Sequence, residues 1–185
     1  LETDGAAAMI LVSAEHARDF QQPPVYLAAS AQGSGQRQWH GVGGYHRPDF
    51  LGSNYSTMVD RLYSAAGMGP EEIDVGQFYE NFTGQVLTSI EDHRFCAQGE
   101  GGPFIEGGRI EHARVAEPGA PHAGEFPINT SGGNLAEAYT HGINLALEAV
   151  RQMRGQSTMQ VQDAHTCLVA AGPASAPLST AIFRN

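Results

Sequence analysis

Residues 128–155 of this chain read INTSGGNLAEAYTHGINLALEAVRQMRG. A β-rich run ends at Asn129, a pair of glycines follows, and apolar residues then recur with the spacing of an amphipathic helix. The pattern predicts a strand, a tight turn and a helix over residues 134–153. Tyr139 and His141 would lie in the first turns of this helix, on different sides because they are two residues apart.

Outside this stretch, β-like and helix-like segments alternate along the chain. The expected strands are residues 25–33, 74–82, 125–131, 159–171 and 178–185. The further helices are one within residues 53–74 that stops at Gly67 and one over residues 83–96, and residues 97–125 form a long loop. An earlier apolar run, residues 5–20, predicts one more buried strand that leads into a short helical turn. The order β-α-β-α-β-α-β-β predicts an α/β fold, with a mostly parallel, mixed five-stranded sheet, helices on both faces and a final antiparallel hairpin.

In sheets of this kind, ligands bind beyond the carboxyl ends of the strands. Three polar or glycine-rich junctions are expected at that edge. They are residues 79–81 at the carboxyl end of the second strand, the NTSGG turn before the long helix, and the AAGPAS turn of the hairpin. The sequence therefore predicts that a functional site lies where these junctions converge.

The NTSGG turn, residues 129–133, is a candidate for binding an anion or an oxyanion, because the N–H groups and dipole of a helix N-terminus favour negative charge. Asn134, followed three residues later by Glu137, also resembles a capping box with Asn in place of Ser or Thr. An ordinary loop that caps the helix explains the same residues. Taken alone, the residues favour the ordinary loop.

The composition excludes several classes of function. The chain has 20 acidic and 10 basic residues, a net charge of −10, and each of those basic residues is an arginine. Nucleic acids and anionic membranes are bound by clustered Lys and Arg, so neither is expected as a partner. Without lysine the chain offers no side-chain amine for Schiff-base catalysis. The chain has two cysteines, no visible signal peptide and no apolar run that could span a bilayer. These features predict a cytoplasmic protein with reduced thiols.

Other familiar sites find no support. His112, His122, His165 and Cys167 match no zinc-binding spacing, and His165 and Cys167 alternate within a predicted strand, so no metal site is expected. The chain contains no G-x-S-x-G elbow, no P-loop and no G-x-G-x-x-G that opens a helix. Serine hydrolase, nucleoside triphosphatase and dinucleotide-binding functions are therefore not indicated.

Two segments, GQFYENF and NTSGGNLAEAYTHG, carry a resemblance to a known family. The chain resembles the C-terminal half of the thiolase superfamily, whose N-E-A-F or H-D-C-F segment and N-x-x-GG…G-H-P…Q-L-R-G pattern are similar to these stretches. It is closest to the thiolase-like lipid-transfer proteins and steroid side-chain-cleaving aldolases. The resemblance implies that residues 1–22 are the last strand of an N-terminal half plus a linker, and that residues 23–185 are the C-terminal domain. A start without methionine is itself typical of a fragment or a processed chain.

The chain departs from the thiolase pattern at the positions that carry Claisen chemistry. Tyr139 stands where the family has the histidine of G-H-P, and Tyr79 stands where N-E-A-F or H-D-C-F has its first residue. Asn81 occupies the cysteine position of H-D-C-F. The family's C-terminal acid/base cysteine aligns near Gly172, and Cys167, five residues upstream, is not assigned that role.

Tyrosines at these positions resemble the aldolase branch, which splits a β-hydroxyacyl-CoA by a retro-aldol reaction. That resemblance implies a coenzyme A thioester as substrate, no covalently bound cofactor, a base for the hydroxyl proton and donors for the enolate. A phenol whose pKa is lowered by the helix N-terminus is expected to be the base. The candidate catalytic residues are Tyr139, Tyr79 and Tyr45, and the candidates for binding the substrate or its oxyanion are Asn81, Gly132, Gly133, His141 and Gly172.

The resemblance also implies partners. It implies a homodimer that forms through the N-terminal half, together with a small partner protein that combines an OB-fold and a zinc ribbon. Two other functions fit the same residues. One is a catalytically inactive protein that carries acyl-CoA or a sterol, and the other is a sterol-carrier-type thiolase, an acyltransferase whose nucleophilic cysteine lies in the N-terminal half.

Overall fold

The computed structural model describes residues 4–35, 54–172 and 177–185. Its strands are β1 (Tyr26–Gly33), β2 (Val75–Phe78), β3 (Thr166–Ala171) and β4 (Leu178–Arg184), and its α-helices are α1 (Val59–Ala66), α2 (Thr83–Asp92), α3 (Gly101–Ile105), α4 (Gly133–Ala136) and α5 (Ile143–Met153). The strands form one sheet in the order β1-β4-β3-β2. Strands β2 and β3 run parallel, and β4 is antiparallel to both of its neighbours, which confirms the predicted C-terminal hairpin. The sheet is mixed, but the prediction that it is mostly parallel is wrong, since two of the three strand pairs described are antiparallel.

Two apolar clusters cover the two faces of the sheet. On one face, α5 buries Leu145, Ala149 and Met153 against β2 and β3, and their spacing of four residues places them on one side of the helix. On the other face, Leu62 of α1 and Ile90 of α2 are fully buried in a second cluster. The predicted α/β fold with helices on both faces is therefore confirmed.

The expected fifth strand is absent from the described part of the chain, so this sheet has four strands. The segment EFPINTS meets β2 through a single bridge between Ile128 and Gly76. Pro127 has no N–H to donate, and Asn129 has a φ of 47°, which turns the backbone away from an extended path. The side chain of Asn129 continues the pairing instead, since its Oδ1 accepts the N–H of Phe78 at 2.7 Å and its Nδ2 donates to the Phe78 carbonyl at 3.0 Å.

The long helix predicted over residues 134–153 is in fact two helices, α4 and α5, joined by residues 137–142, which we call the connector. His141 and Gly142 have φ values of 56° and 90°, and these left-handed conformations interrupt the helical path. Tyr139 therefore lies on the connector and not in the first turns of a helix, which corrects the prediction.

Two segments outside the sheet also bear on the predictions. Residues 97–125, expected to be a loop, contain the short helix α3 followed by turns. Residues 4–12 form no strand, and Ile10 and Leu11 are exposed. Since the strand predicted here would belong to an N-terminal half, the assignment of residues 1–22 to such a half stays a prediction.

His93, at the end of α2, is a fully buried histidine in the core. Its Nδ1 lies 2.7 Å from the Ser89 carbonyl and its Nε2 lies 3.0 Å from the Thr180 hydroxyl, and the rings of Tyr55 and Phe78 pack against the imidazole. Because a carbonyl can only accept, Nδ1 carries the proton and Nε2 accepts from Thr180. Burial lowers the pKa of His93 to about 4, so the folded protein holds it neutral.

This histidine should make the fold sensitive to acid. In the unfolded chain His93 becomes protonated near its ordinary pKa of 6.5, whereas in the folded protein it becomes protonated only near pH 4. As the pH falls between these values, the free energy of unfolding should drop by about 1.4 kcal/mol per pH unit from this group alone. Urea denaturation of wild type and His93→Gln between pH 7 and 4 measures the effect. His93→Gln should lose this part of the pH dependence of the free energy of unfolding, whereas His16→Gln, which removes an exposed histidine, should keep it.

The side chain of Asn129 should contribute measurably to stability. Asn129→Ala leaves the partly buried Phe78 N–H and carbonyl without their partners, so the free energy of unfolding should fall by about 1–3 kcal/mol. Asn129→Gly keeps the backbone freedom that a φ of 47° requires but also removes the amide. Equal losses for both variants in urea denaturation would assign the effect to the side chain, and a glycine variant as stable as wild type would contradict this account.

Candidate active site

Tyr79 follows β2 directly and lies at the carboxyl edge of the sheet, as predicted. Its N–H donates to the carbonyl of Ala170 in β3 at 3.0 Å, which extends the parallel pairing by one residue and fixes the tyrosine backbone. The side chain is 3% exposed and belongs to the cluster beneath α5. Tyr79 is thus a rigid residue at the sheet edge where ligands bind in this class of fold.

The structure brings Tyr79 and Tyr139 together, although they are 60 residues apart in the sequence. Their hydroxyl oxygens lie 3.2 Å apart and share a hydrogen bond, and their rings meet edge to face with centroids 6.2 Å apart. Tyr139 is half-buried, so one phenol is enclosed and the other reaches towards the surface. The two residues singled out as catalytic candidates therefore form one polar pair at the strand end.

The connector can reach Tyr79 because of its backbone conformation. A Cβ at Gly142 would lie 3.0 Å from the Tyr79 ring, so only glycine permits this approach, and its φ of 90° also favours glycine. His141 is exposed, and its ring packs against Tyr139 with centroids 5.6 Å apart. The prediction that Tyr139 and His141 point to different sides of a helix is therefore wrong, because the connector is not helical.

The Glu80 carboxyl lies at the N-terminus of α4, directly after the NTSGG turn that was predicted to bind an anion or an oxyanion. The Glu80 carboxylate accepts the N–H of Leu135 at 2.9 Å and the Nδ2 proton of Asn134 at 3.2 Å. A Cβ at Gly133 would lie 2.5 Å from Glu80 Oε1, so the second glycine makes room for the carboxylate. Gly132 has a φ of 96° and forms the turn before α4. Glu80 was predicted to lie at the edge of the site, but its contact with α4 was not predicted, because the two residues that it contacts lie 54 and 55 positions away in the sequence.

Burial and these donors act in opposite directions on Glu80. Burial raises the pKa of the Glu80 carboxyl, and the hydrogen bonds from residues 134 and 135 partly offset that rise. The predicted capping box of Asn134 and Glu137 is wrong, because Asn134 contacts Glu80 and the N–H of Gly142, while Glu137 pairs with Arg151.

A buried polar network fixes the turn from behind. The Thr130 hydroxyl donates to Glu148 Oε1 at 2.7 Å and accepts from Gln152 and Gln77 at 2.9 and 3.1 Å. Ser157 adds a further donor to Glu148 at 2.6 Å. The turn is thus anchored both to α5 and to β2, so its position is set by side chains that are almost fully buried.

Burial raises the pKa of Tyr79 above its ordinary value, and the hydrogen bond and charge of Tyr139 and the charge of Glu80 add to the rise. The Tyr79 hydroxyl therefore stays protonated at neutral pH. In the structure the Tyr139 hydroxyl donates and the Tyr79 hydroxyl accepts. The general expectation of a phenol with a lowered pKa does not hold for Tyr79.

The remaining candidates have different surroundings. Asn81 is half-buried, and its Oδ1 has no partner within residues 4–35, 54–172 and 177–185. Gly172 is buried, and its carbonyl accepts a hydrogen bond from Gln85 Nε2 at 2.9 Å. Tyr45 lies outside the described residues. The structure thus places Asn81 beside the end of β2 and uses the carbonyl of Gly172 to hold α2.

Neither cysteine thiol is activated as a nucleophile. Cys167 lies inside β3 and is fully buried, and burial raises its pKa. Cys96 is half-buried, and burial followed by the charges of Glu91 and Glu100 raises its pKa as well. Among the described residues, no group of three or more His, Cys, Asp or Glu could hold a metal ion, and no helix is long and apolar enough to cross a membrane.

Comparison with known proteins yields close relatives. The chain is 40% identical over 172 residues to a steroid side-chain-cleaving aldolase of Thermomonospora curvata, covering 92% of this chain and 41% of the relative. It is equally 40% identical over 172 residues to a 17-hydroxy-3-oxo-4-pregnene-20-carboxyl-CoA lyase of Mycobacterium tuberculosis, covering 92% of this chain and 42% of the relative. The solved structure of the Ltp2-ChsH2(DUF35) aldolase superimposes with a TM-score of 0.84 at 38% identity, over 94% of this chain and 42% of that one.

The chain spans about two fifths of the length of these relatives. A family model described as "Thiolase C-terminal domain-like" matches residues 35–185, which is most of the sequence. The match includes the end of β2, the NTSGG turn, the connector and the C-terminal hairpin, which together build the site. This chain therefore belongs to the thiolase C-terminal domain-like family.

Proposed function

We propose that the protein containing this chain is an aldolase that cleaves a β-hydroxyacyl-CoA by a retro-aldol reaction. The observation that carries the proposal is the pair of tyrosine hydroxyls 3.2 Å apart at the carboxyl edge of the sheet. The activities named for the relatives from T. curvata and M. tuberculosis support the same reaction and suggest a steroid side chain as the acyl group.

A retro-aldol cleavage needs few parts. A base removes the proton of the β-hydroxyl, the C–O bond becomes a carbonyl, and the bond between the α and β carbons breaks. The electron pair passes to the thioester as an enolate, which takes a proton at the α carbon. No acyl-enzyme forms, so the reaction requires no cysteine nucleophile and is compatible with the buried, high-pKa thiols of this chain.

Within the pair, Tyr139 is proposed as the base and Tyr79 as its partner. Tyr139 is half-buried and can face a substrate, whereas Tyr79 is enclosed and keeps its proton. A hydrogen bond donated by Tyr79 would stabilise the phenolate of Tyr139. Tyr45, Asn81, His141 and the glycine turn are proposed to contact the thioester or its enolate.

Stabilisation of the enolate is proposed to come from protein donors and from the acidity of the thioester itself. The chain contains no lysine, so it cannot supply a Schiff base. Gly133 and Leu135 at the glycine turn face Glu80. The proposed oxyanion donors are therefore the Asn81 side chain and those N–H groups at the carboxyl edge of the sheet that do not face Glu80.

Partners are proposed on the same basis. The similar aldolase structure pairs Ltp2 with ChsH2, a DUF35 protein, and we expect a protein of that kind to assist here. A homodimer formed through an N-terminal half is expected as well. Coenzyme A is proposed to take part as the substrate's thioester, with no bound cofactor.

Tyrosine variants test the proposal in the complete protein, assayed with its DUF35 partner. With 17-hydroxy-3-oxo-4-pregnene-20-carboxyl-CoA as the probe, Tyr139→Phe should lower kcat by roughly 10²–10⁴-fold, the usual contribution of a general base. Tyr79→Phe should lower it less, because it removes a hydrogen bond to the base and not the base itself. Tyr63→Phe removes a buried hydroxyl that donates to the His93 carbonyl in the core, and should leave kcat unchanged.

The outcomes separate the candidate functions. Full activity in both Tyr139→Phe and Tyr79→Phe would exclude the mechanism. Tight binding of the thioester with no product, even with the partner present, would instead favour the carrier function. Thiolysis of a β-ketoacyl-CoA by added coenzyme A, with two thioesters as products and no cleavage of the 17-hydroxy probe, would favour the acyltransferase.

A further inference from the structure

The Asn134 side chain makes two hydrogen bonds that join the end of β2 to the connector. Its Nδ2 donates to Glu80 Oε2 at 3.2 Å, and its Oδ1 accepts the N–H of Gly142 at 3.1 Å. Asn134 is 1% exposed, so water does not compete for either bond. We call these two side chains, Glu80 and Asn134, the clamp.

The position of the clamp in the sequence relates it to the two tyrosines. Glu80 is bonded directly to Tyr79, and Gly142 lies three residues after Tyr139. Gly142 also packs so closely on the Tyr79 ring that an added Cβ would lie 3.0 Å away. A longer or shorter clamp would therefore move the connector, and Tyr139 with it, relative to the Tyr79 ring.

Apart from the hydrogen bond between the two tyrosines, the other hydrogen bonds of the connector within the described part of the chain link it to α4, to α5 or to itself. On the main chain they run from Glu137 to Gly133, from Thr140 to Ala138 and from Leu145 to Gly142, and the side chains of Glu137 and Thr140 pair with Arg151 and Asn144. None of these bonds reaches β2. The side chains of the clamp thus form a direct polar link between the strand that carries one tyrosine and the connector that carries the other.

We propose that Glu80 and Asn134 are positioning residues that set the separation of the Tyr79 and Tyr139 hydroxyls. This inference rests on the proposed function, in which those hydroxyls act as a pair. The clamp acts through the tyrosines and does not touch the reacting atoms. Its polarity is defined, because a carboxylate at 80 accepts from the amide at 134, which in turn accepts from the N–H of Gly142.

This polarity permits a test by exchange. Glu80→Gln sets two amide N–H donors against each other, and Asn134→Asp sets two carboxylates against each other. In the double variant, Gln at 80 donates to Asp at 134, and Asp still accepts the N–H of Gly142. Each single variant of the complete protein should lose roughly 10²-fold in kcat, as expected when a catalytic group is displaced by about 1 Å, and the double variant should return to within roughly tenfold of wild type.

Two further readouts distinguish positioning from a general structural role. KM should change little in the single variants, and their thermal unfolding midpoints should not follow the order of their kcat values. In a Tyr139→Phe background, Asn134→Asp should cause no further loss of kcat, since the hydroxyl it positions is already gone. Additive losses, or a double variant no better than the singles, would overturn the proposal.

The clamp and the proposed function can fail separately. If wild type cleaves the thioester and Asn134→Asp keeps full kcat, the clamp is wrong and the aldolase stands. If wild type cleaves nothing, crystal structures of Asn134→Asp and of the double variant still decide. A hydroxyl separation that lengthens from 3.2 Å in the single variant and recovers in the double supports the clamp, and an unchanged separation overturns it.

Discussion

The end of strand β2 is held on two sides, and the geometry of the site depends on this constraint. On one side, β3 pairs with β2 and extends that pairing to Tyr79. On the other side, Asn129 brackets the peptide of Phe78 with its side-chain amide. The strand cannot shift without breaking bonds to both neighbours. Tyr79 is consequently a fixed reference point against which the turn, α4 and the connector are arranged.

Hydrogen bonds from side chains replace the main-chain hydrogen bonds that a fifth strand and a continuous helix would make. Asn129 replaces a strand's peptide group, Glu80 fills the N-terminus of α4, and Asn134 supports the connector. Each of them is polar and lies within four residues of the end of a strand or the start of a helix. A glycine-rich turn at a sheet edge needs such partners, because its own N–H groups are otherwise unsatisfied. This explains why the turn that carries the family pattern is polar as well as glycine-rich.

Much of the fold was predictable because the spacing of apolar residues in the sequence indicates which side of a helix or strand is buried. The apolar spacing in α1, α2 and α5, and the final hairpin, followed directly from the sequence. The break in the long helix was not predictable by periodicity, since left-handed conformations at His141 and Gly142 depend on contact with Tyr79. Tyr79 and Tyr139 were identified through the family resemblance, but their contact across 60 residues is a tertiary fact. The role of Glu80 was missed because a strand-end acid gives no sign of which helix it will face.

In the proposed reaction two phenols break a carbon–carbon bond without an acyl-enzyme. The decisive measurement is cleavage of a β-hydroxyacyl-CoA by the complete protein in D₂O, without added coenzyme A, followed by mass spectrometry. Retro-aldol cleavage should give one carbonyl compound and one shortened acyl-CoA that carries a single deuterium at its α carbon, because the enolate takes its proton from solvent. Failure to cleave the β-hydroxyacyl-CoA, together with thiolysis of the corresponding β-ketoacyl-CoA by added coenzyme A, would exclude this reaction.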